Sequence, residues 1–349
     1  MKGWEQGRNR PERINILLFA VLAVVILALA GCAVYFIGGL LDEPQPQVQE
    51  PLGSLEGRFA PDMTMVVDHK EYAYYSDYFT NILVVGVDKE DIAAQTVYRA
   101  GGQADFLMIL AIDRSHRTIT PIHIDRDTIT DVRVFSPFGH SAGVNQMQLC
   151  LSHAFSSSNE QNSQNTIWAV ERLMQGIRID KYMFMDMTGI AMLNDALGGV
   201  TVTLEDDFSH LDPAMVVGAQ ITLQGKQAEY FVRSRHEVGD QSNRQRMNRQ
   251  RVFLEGLSEL FRKKTAADPY FILELFESLG DHLHTSLDAD WINSQTYALE
   301  HYAQQPIVDL KGEHAVGIDG YMEFRLNEAE LKRLIRDIFL VEIKEVGSL

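Results

Sequence analysis

The sequence predicts an α/β fold in which helices cover both faces of a central mixed β-sheet, preceded by one N-terminal transmembrane helix. Three patterns predict it: continuous apolar runs of strand length, apolar residues at helical spacing between those runs, and a long charge-free segment near the N-terminus. Hydrophobic residues make up 46% of the 349-residue chain and charged residues 23%. Most of the chain is therefore expected to fold around a sizeable core.

The folded elements can be placed in order along the chain. Residues 81–88 and 105–113 are apolar runs that suit buried strands, and residues 118–125 form a third strand that pairs with the second through the turn at 114–116. Further strands are predicted at 181–187 and 200–204, and helices at 165–175, 188–197, 225–233, 243–261, 269–279, 288–303 and 327–341. The main domain then spans 76–263, and residues 264–349 form a helical extension packed on it.

The N-terminal segment predicts a membrane anchor. Residues 1–13 carry several cations and form a cytoplasmic tail, whereas residues 14–41 contain no charged residue and exceed the ~20 residues that span a bilayer. The basic flank stays in the cytoplasm, so the remainder is expected outside the plasma membrane, after a linker at 42–75 that begins rich in proline and glutamine. A buried core helix is the alternative, but such helices are shorter and usually amphipathic.

Cys32 provides an alternative to the transmembrane anchor. Leu29-Ala30-Gly31-Cys32 is similar to a bacterial lipoprotein cleavage box. Because residues 33–41 remain apolar, an uncleaved anchor is favoured over lipidation of Cys32, and both outcomes leave the domain on the same side of the membrane. Mass spectrometry of the mature N-terminus distinguishes them. The second cysteine, Cys150, has no partner in the folded part, so no internal disulfide is expected there.

Charge excludes one class of function. The formal net charge is −17, which argues against non-specific nucleic-acid binding because phosphates would be repelled. Any phosphate chemistry must therefore depend on a local cluster of arginines.

Aspartates follow or precede the buried strands. Asp88 and Asp105 lie at strand ends, where a carboxylate is costly unless it faces a cleft, a partner or a cation, and the pair suits Mg²⁺. The segment Asp125-Arg126-Asp127-Thr128 follows the third strand and suggests a cleft edge. The alternatives are turn caps for the first pair and an exposed turn with a local ion pair for the second.

Arginines cluster later in the chain. Arg233 and Arg235 alternate along a short segment and can converge on one phosphate, for which the planar guanidinium is well suited. Arg246, Arg249 and Gln250 share one face at the start of the next helix, where the N-terminus also favours anions. The alternative for both groups is a solvated basic surface. A DNA-binding helix is disfavoured by the expected extracytoplasmic location.

These motifs, taken in order, resemble those of the LytR-CpsA-Psr family of cell-envelope glycopolymer–peptidoglycan ligases. The resemblance runs from about Asn81 to Leu260 and rests on residues 81–88, 104–105, 125–128, 193–200, 232–236 and 246–250. It implies transfer of an anionic glycopolymer, such as teichoic acid, from a polyprenyl-pyrophosphate carrier to peptidoglycan. The products are a phosphodiester and polyprenyl phosphate.

The resemblance also implies roles for individual residues. Asp88 and Asp105 would bind Mg²⁺ or Mn²⁺, and Arg126 and Asp127 would be catalytic, with the role of Asp127 as base or as orienter of the arginine left open. The pyrophosphate would be held by Arg126, Arg233, Arg235, Arg246, Arg249 and Gln250.

The chain departs from the family pattern at several positions. Lys89-Glu90 replaces the frequent serine and arginine, Gln103 replaces an arginine, and Asp125 replaces a proline. The spacing from Val238 to Asn243 also differs. Fewer arginines near the phosphates imply weaker substrate binding or a different polymer.

Three functions are consistent with these residues. The favoured one is the Mg²⁺-dependent glycopolymer phosphotransferase, with the lipid-linked polymer, peptidoglycan and the bilayer as partners and no nucleic acid. A polyprenyl-pyrophosphate pyrophosphatase would use the same site with water as acceptor. A membrane-bound regulator or lipid-binding scaffold would need no catalysis.

Overall fold

The computed structural model describes residues 61–93, 98–156, 158–234, 237–268, 271–288, 291, 295, 299 and 302–343. The predicted cytoplasmic tail, the predicted transmembrane helix at 14–41 and Cys32 lie outside these residues, as does most of the predicted linker. Within the described ranges, no helix combines the length and apolar character that crossing a bilayer requires.

The described chain contains sixteen strands and six α-helices. The strands are β1 Met63–Val67, β2 Lys70–Tyr74, β3 Phe79–Val87, β4 Ala104–Asp113, β5 Thr118–Ile124, β6 Ile129–Phe135, β7 Ser141–Gln148, β8 Lys181–Asp186, β9 Thr201–Thr203, β10 Gln220–Thr222, β11 Leu283–Thr285, β12 Ala303–Gln304, β13 Val308–Asp309, β14 Gly312–Val316, β15 Met322–Leu326 and β16 Leu340–Glu342. The helices are α1 Asn159–Leu173, α2 Met187–Ala196, α3 Lys226–Arg233, α4 Asn243–Ala267, α5 Phe271–Leu279 and α6 Glu328–Phe339.

A mixed sheet of seven strands forms the centre, as predicted. Its strand order is β11-β8-β3-β4-β5-β12, and β13 also pairs with β5. The strands β3, β4 and β5 are antiparallel neighbours, whereas β8 runs parallel to β3, and β12 and β13 run parallel to β5. The predicted pairing of the second and third strands through the turn at 114–116 is therefore confirmed.

Two hydrophobic cores lie on opposite faces of this sheet. Successive side chains of a strand point to opposite faces, so Ile82 and Val84 of β3 enter one core while Leu83 and Val85 enter the other. Helices α2 to α5 contribute to the first core, and α1 and α6 contribute to the second. The prediction of helices on both faces is confirmed.

The folded chain begins earlier than the predicted linker boundary at 75. Strands β1 and β2 form a hairpin within residues 63–74, joined by Asp68 and His69 at φ 48° and 69°. Two successive positive φ angles define the two-residue hairpin turn, but that turn usually contains asparagine or glycine, so this sequence gives little sign of it. Strand β16 pairs with β2 and ties the C-terminal segment to this hairpin.

The C-terminal extension is not only helical. Helices α5 and α6 match the predictions at 269–279 and 327–341, but strands β11 to β16 also belong to this part of the chain. Several of these strands are two or three residues long, and β14 is exposed along its whole length. Without a buried face, such strands lack the apolar alternation by which strands are recognised.

Candidate functional site

Three strand ends meet at one edge of the central sheet. Strands β3 and β5 end just before Asp88 and Asp125, and β4 begins beside Asp105. Because β4 runs antiparallel to both neighbours, its start lies next to their ends, with Val87 opposite Ala104. Gly102 makes this approach possible: at φ 80°, a Cβ there would lie 2.8 Å from the Asp88 carbonyl oxygen.

Asp105 is the centre of a buried charged cluster. Its carboxylate accepts hydrogen bonds from Arg126, which follows β5, and from Nη1 of Arg246 on α4 at 3.2 Å. The side chains of Asp105, Arg126 and Arg246 are 7%, 13% and 4% exposed. Two arginines bind one buried carboxylate, so the cluster presents fixed guanidinium donors, which suit an anionic ligand.

Arg126 contacts three side chains besides Asp105. Its Nη2 donates to Gln103 and to the sulfur of Cys150 at 3.1 Å, and its Nε lies 3.5 Å from Oδ1 of Asp127. Burial alone would lower the pKa of Arg126, but Asp105, Cys150 and Asp127 outweigh that effect and raise it. Burial also raises the pKa of the Cys150 thiol to about 11, so the sulfur is an uncharged acceptor. Arg126 is therefore a fixed cation.

Asp127 lies deep in the same cluster, at 2% exposure. Its backbone N–H donates to Oδ1 of Asp125 at 2.8 Å, and its carbonyl oxygen accepts from the N–H of Phe324 at 2.8 Å. The backbone of Arg126 is held in the same way, because its carbonyl accepts from the N–H of Cys150 at 2.9 Å. The segment at residues 125–128 is thus a largely buried turn held by hydrogen bonds to its backbone, and the alternative of an exposed turn is wrong.

Asp88 and Arg233 form a second, more open pair. Nη2 of Arg233 lies 2.6 Å from the Asp88 carboxylate, and Nη1 donates to Glu229 at 2.9 Å. The Arg233 side chain is 43% exposed and that of Asp88 is 31% exposed. Burial, and then the neighbouring charge of Asp105, raise the pKa of Asp88, while Arg233 acts against both. The negative charges of Asp88 and Asp105 therefore interact across the site.

Arg249 and Gln250 have a different environment. The guanidinium of Arg249 donates to the carbonyl oxygens of Phe231 and Ser234, and to Asp206 at 2.9 Å. The amide of Gln250 donates to the carbonyl oxygen of Val232 at 3.2 Å. Both side chains therefore hold the C-terminal end of α3, which carries Arg233. Arg235 lies outside the described residues.

Several contributing residues were not among the sequence candidates. Gln103 and Cys150 contact Arg126, Glu229 contacts Arg233, and Asn243 donates to Asp125 at 2.7 Å. A further contact comes from His314, whose Nε2 lies 2.9 Å from Oδ2 of Asp125. None of these residues belongs to a motif whose spacing indicates a site, although the chain departs from the family pattern at Gln103 and in the spacing up to Asn243.

An apolar groove opens beside the charged cluster. It lies between the first face of the sheet and helices α2, α3 and α4. Its polar lining comes from Asp105, Arg233 and Gln250. Its apolar lining includes Phe106, Met183, Met185, Ile190, Leu193, Phe253, Leu254 and Leu257. The groove therefore suits a ligand with a hydrocarbon portion and an anionic end.

The predicted Mg²⁺ site requires side chains that can bind a cation. Among the described residues, no group of three or more histidine, cysteine, aspartate or glutamate side chains is arranged to hold a metal ion. Asp88 and Asp105 remain as two carboxylates close enough for one to raise the pKa of the other. Two carboxylates match the small number of protein ligands that Mg²⁺ uses when substrate phosphates and water complete its shell.

Comparison with known proteins identifies the class to which this fold and site belong. The LytR_cpsA_psr family model matches residues 60–338. The chain therefore belongs to the LytR-CpsA-Psr family.

Particular relatives support this assignment. The chain is 28% identical over 275 residues to the polyisoprenyl-teichoic acid–peptidoglycan teichoic acid transferase TagU of Oceanobacillus iheyensis, covering 74% of each chain. It is 25% identical over 283 residues to the TagU protein of Halalkalibacterium halodurans, covering 80% of this chain and 82% of that one. The crystal structure of Bacillus subtilis TagV shares the fold, with a TM-score of 0.56 and 19% identity over 74% of this chain and 95% of that one.

Proposed function

We propose that this protein transfers an anionic glycopolymer of the teichoic acid class from a polyprenyl-pyrophosphate carrier to peptidoglycan. The observation that carries the proposal is the apolar groove whose polar end is formed by Asp105 and Arg233, next to Arg126 and Arg246. A polyprenyl pyrophosphate has two matching parts, a hydrocarbon chain that suits the apolar groove and a doubly charged pyrophosphate that suits the arginines. The relatives named as teichoic acid transferases support this substrate class.

The reaction exchanges one phosphorus–oxygen bond for another. The oxygen of an acceptor hydroxyl on peptidoglycan bonds to the phosphorus that carries the glycopolymer. The bond from that phosphorus to the bridging oxygen breaks, polyprenyl phosphate leaves with that oxygen, and the hydroxyl proton is released. Charge on the phosphate oxygens must be stabilised throughout, and positioned guanidinium groups provide such stabilisation.

The proposed role of each arginine in stabilising this charge follows from its environment. Arg126 and Arg246 are buried and fixed on Asp105, so they offer a preorganised positive site. Arg233 is more exposed and can exchange its carboxylate partners for a phosphate. Arg235 is proposed as a further ligand from its position in the motif. Arg249 and Gln250 contribute by holding the end of α3 that positions Arg233.

The geometry favours Asp127 as an orienter of Arg126 over a general base. A base must reach the proton that it removes, at hydrogen-bond distance or through one water. The Asp127 carboxylate is almost fully buried and lies 3.5 Å from the Arg126 Nε. In that position its negative charge attracts the guanidinium and favours its observed orientation.

Mg²⁺ or Mn²⁺ is proposed as the cofactor. Asp88 and Asp105 would hold the ion, and it would neutralise pyrophosphate charge when bound. Asp88 lies close enough to Asp105 for their negative charges to interact, and a bound cation would relieve that repulsion. The protein is further proposed to be anchored by residues 14–41 with the domain on the outer face of the plasma membrane, which places it next to both substrates.

The proposal is tested with the full-length protein, a labelled lipid-linked teichoic acid precursor and purified peptidoglycan. We expect label to become attached to peptidoglycan, with Arg126→Ala and Asp127→Ala reducing the attachment. Release of free polymer without wall-bound product would instead identify a pyrophosphatase. Wall attachment in cells that survives both substitutions would contradict catalysis at this site and favour a regulator or scaffold.

A further inference from the structure

The hairpin of β14 and β15, which lies outside the catalytic motifs, contacts the turn at residues 125–128. Nε2 of His314 on β14 lies 2.9 Å from Oδ2 of Asp125, and the His314 ring packs on Phe324 of β15, with centroids 4.8 Å apart. The N–H of Phe324 donates to the carbonyl oxygen of Asp127 at 2.8 Å, and Thr128 forms a bridge with Phe324. The hairpin therefore holds both ends of the turn.

The Asp125 carboxylate joins three separate parts of the chain. Its Oδ1 accepts from the N–H of Asp127 at 2.8 Å and from the amide of Asn243 at 2.7 Å, while its Oδ2 faces His314. The side chain of Asp125 is 5% exposed, and a buried carboxylate is tolerated only with such partners. Because a carboxylate can only accept, the Nε2 of His314 carries the hydrogen in this contact.

The contact continues to the arginine cluster. With its Nδ2 turned to Asp125, the amide of Asn243 presents its Oδ1 to Arg246, and that oxygen accepts from Arg246 Nη2. Arg246 in turn contacts Asp105 through Nη1. A chain of contacts thus runs from His314 through Asp125 and Asn243 to a guanidinium of the site.

From this geometry we infer that His314 and Asp125 are positioning residues for the transfer reaction. They fix the turn that carries Arg126 and Asp127, and they fix the orientation of Arg246, although neither belongs to the arginine cluster itself. The inference rests on the proposed function. About a third of the His314 side chain is exposed, and shortening it removes both the hydrogen bond to Asp125 and the ring contact with Phe324.

The test compares three variants of the full-length protein. His314→Ala removes the donor, His314→Gln retains an N–H of similar reach, and Glu313→Ala is the matched control on the adjacent exposed residue of the same strand. We expect His314→Ala to lower kcat about tenfold with KM changed less than twofold, because the loss concerns alignment in the transition state. We expect His314→Gln to regain most of the rate, and Glu313→Ala to behave as the unmodified protein.

Hydrogen exchange supplies a readout that does not depend on activity. Peptides covering residues 125–128 and 242–247 should exchange faster in His314→Ala, but not in the other two variants. A kcat within twofold of the unmodified protein, equal losses in His314→Ala and His314→Gln, or unchanged exchange in His314→Ala would each overturn the inference. If the unmodified protein transfers no glycopolymer, the proposed function fails, while the exchange comparison still decides the positioning contact.

Discussion

The two ion-pair groups at the sheet edge are made of the same residue types but differ in their freedom. Asp105, Arg126 and Arg246 are nearly buried and connected to Gln103, Cys150 and Asn243. Asp88 and Arg233 are partly exposed; they pair with each other, and Arg233 also pairs with Glu229. The first group is a fixed part of the fold, whereas the second can rearrange when a ligand arrives. Substitutions in the two groups should therefore affect different quantities.

The largest effect is expected for Arg126→Ala. Loss of a preorganised charge should reduce kcat by ~10²-fold or more, by comparison with the removal of a single positioned donor. Asp105 would keep only Arg246, so unfolding free energy should also fall by ~1–3 kcal/mol. Transfer rates and thermal denaturation by circular dichroism measure the two quantities.

Two further variants control this comparison. Arg325→Ala removes an arginine from an exposed surface pair with Glu323 and should change neither quantity. Arg126→Lys restores the charge without the planar fork and should recover only part of the rate. Full activity of Arg126→Ala would show that the buried group has no part in the reaction.

A smaller effect, of another kind, is expected for Arg233→Ala. Because Arg233 is partly exposed and pairs with the carboxylates of Asp88 and Glu229, its main contribution should be to holding the phosphates. We expect kcat/KM to fall about tenfold to thirtyfold, mostly through KM, with the melting temperature nearly unchanged. Steady-state kinetics on the lipid-linked substrate separates the two parameters. A loss confined to kcat would place Arg233 with the fixed group, and the two groups would then not differ in function.

Substitutions in the apolar groove should have a third kind of effect, a change in KM that depends on the length of the lipid chain. Leu254 lines the groove from α4 and is only partly buried, so Leu254→Trp fills the space with limited strain on the core. For a long polyprenyl chain, we expect KM to rise about tenfold, which is the effect of an imperfect apolar fit. For a substrate with a chain of two or three isoprene units, the change should be much smaller. Equal effects on both substrates would indicate that the lipid lies elsewhere.

The difference between the two groups also shows what the sequence can predict. Strands β3, β4 and β5 are continuous apolar runs, so their positions follow from pattern alone. The pattern places Asp88, Asp105 and Arg126 at strand ends, but it leaves open whether these residues form one site. The exposed strand β14 has no such pattern. The contact of its His314 with Asp125 joins residues 189 positions apart, and such contacts depend on tertiary packing.

Helical spacing likewise placed Arg246 and Arg249 on one face of α4, but it could not distinguish their partners. One of them contacts Asp105, while the other is bound to carbonyl oxygens at the end of α3. A period of 3.6 residues predicts the direction in which a side chain leaves the helix axis, but not which residues that side chain contacts.

The smallest expected effect concerns stability, and it tests the open pair directly. The pKa of Asp88 is raised in the folded protein, first by burial and then by Asp105, so folding favours its protonated form. Near pH 4 the native protein and Asp88→Asn should have similar melting temperatures in the presence of EDTA. As the pH rises through the raised pKa of Asp88, the native protein loses stability relative to the neutral asparagine. At pH 7.5 Asp88→Asn should therefore melt higher by about 2 °C. The opposite sign at pH 7.5 would mean that Asp88 and Arg233 form a stabilising ion pair, and the open group would then be as much a part of the fold as the buried one.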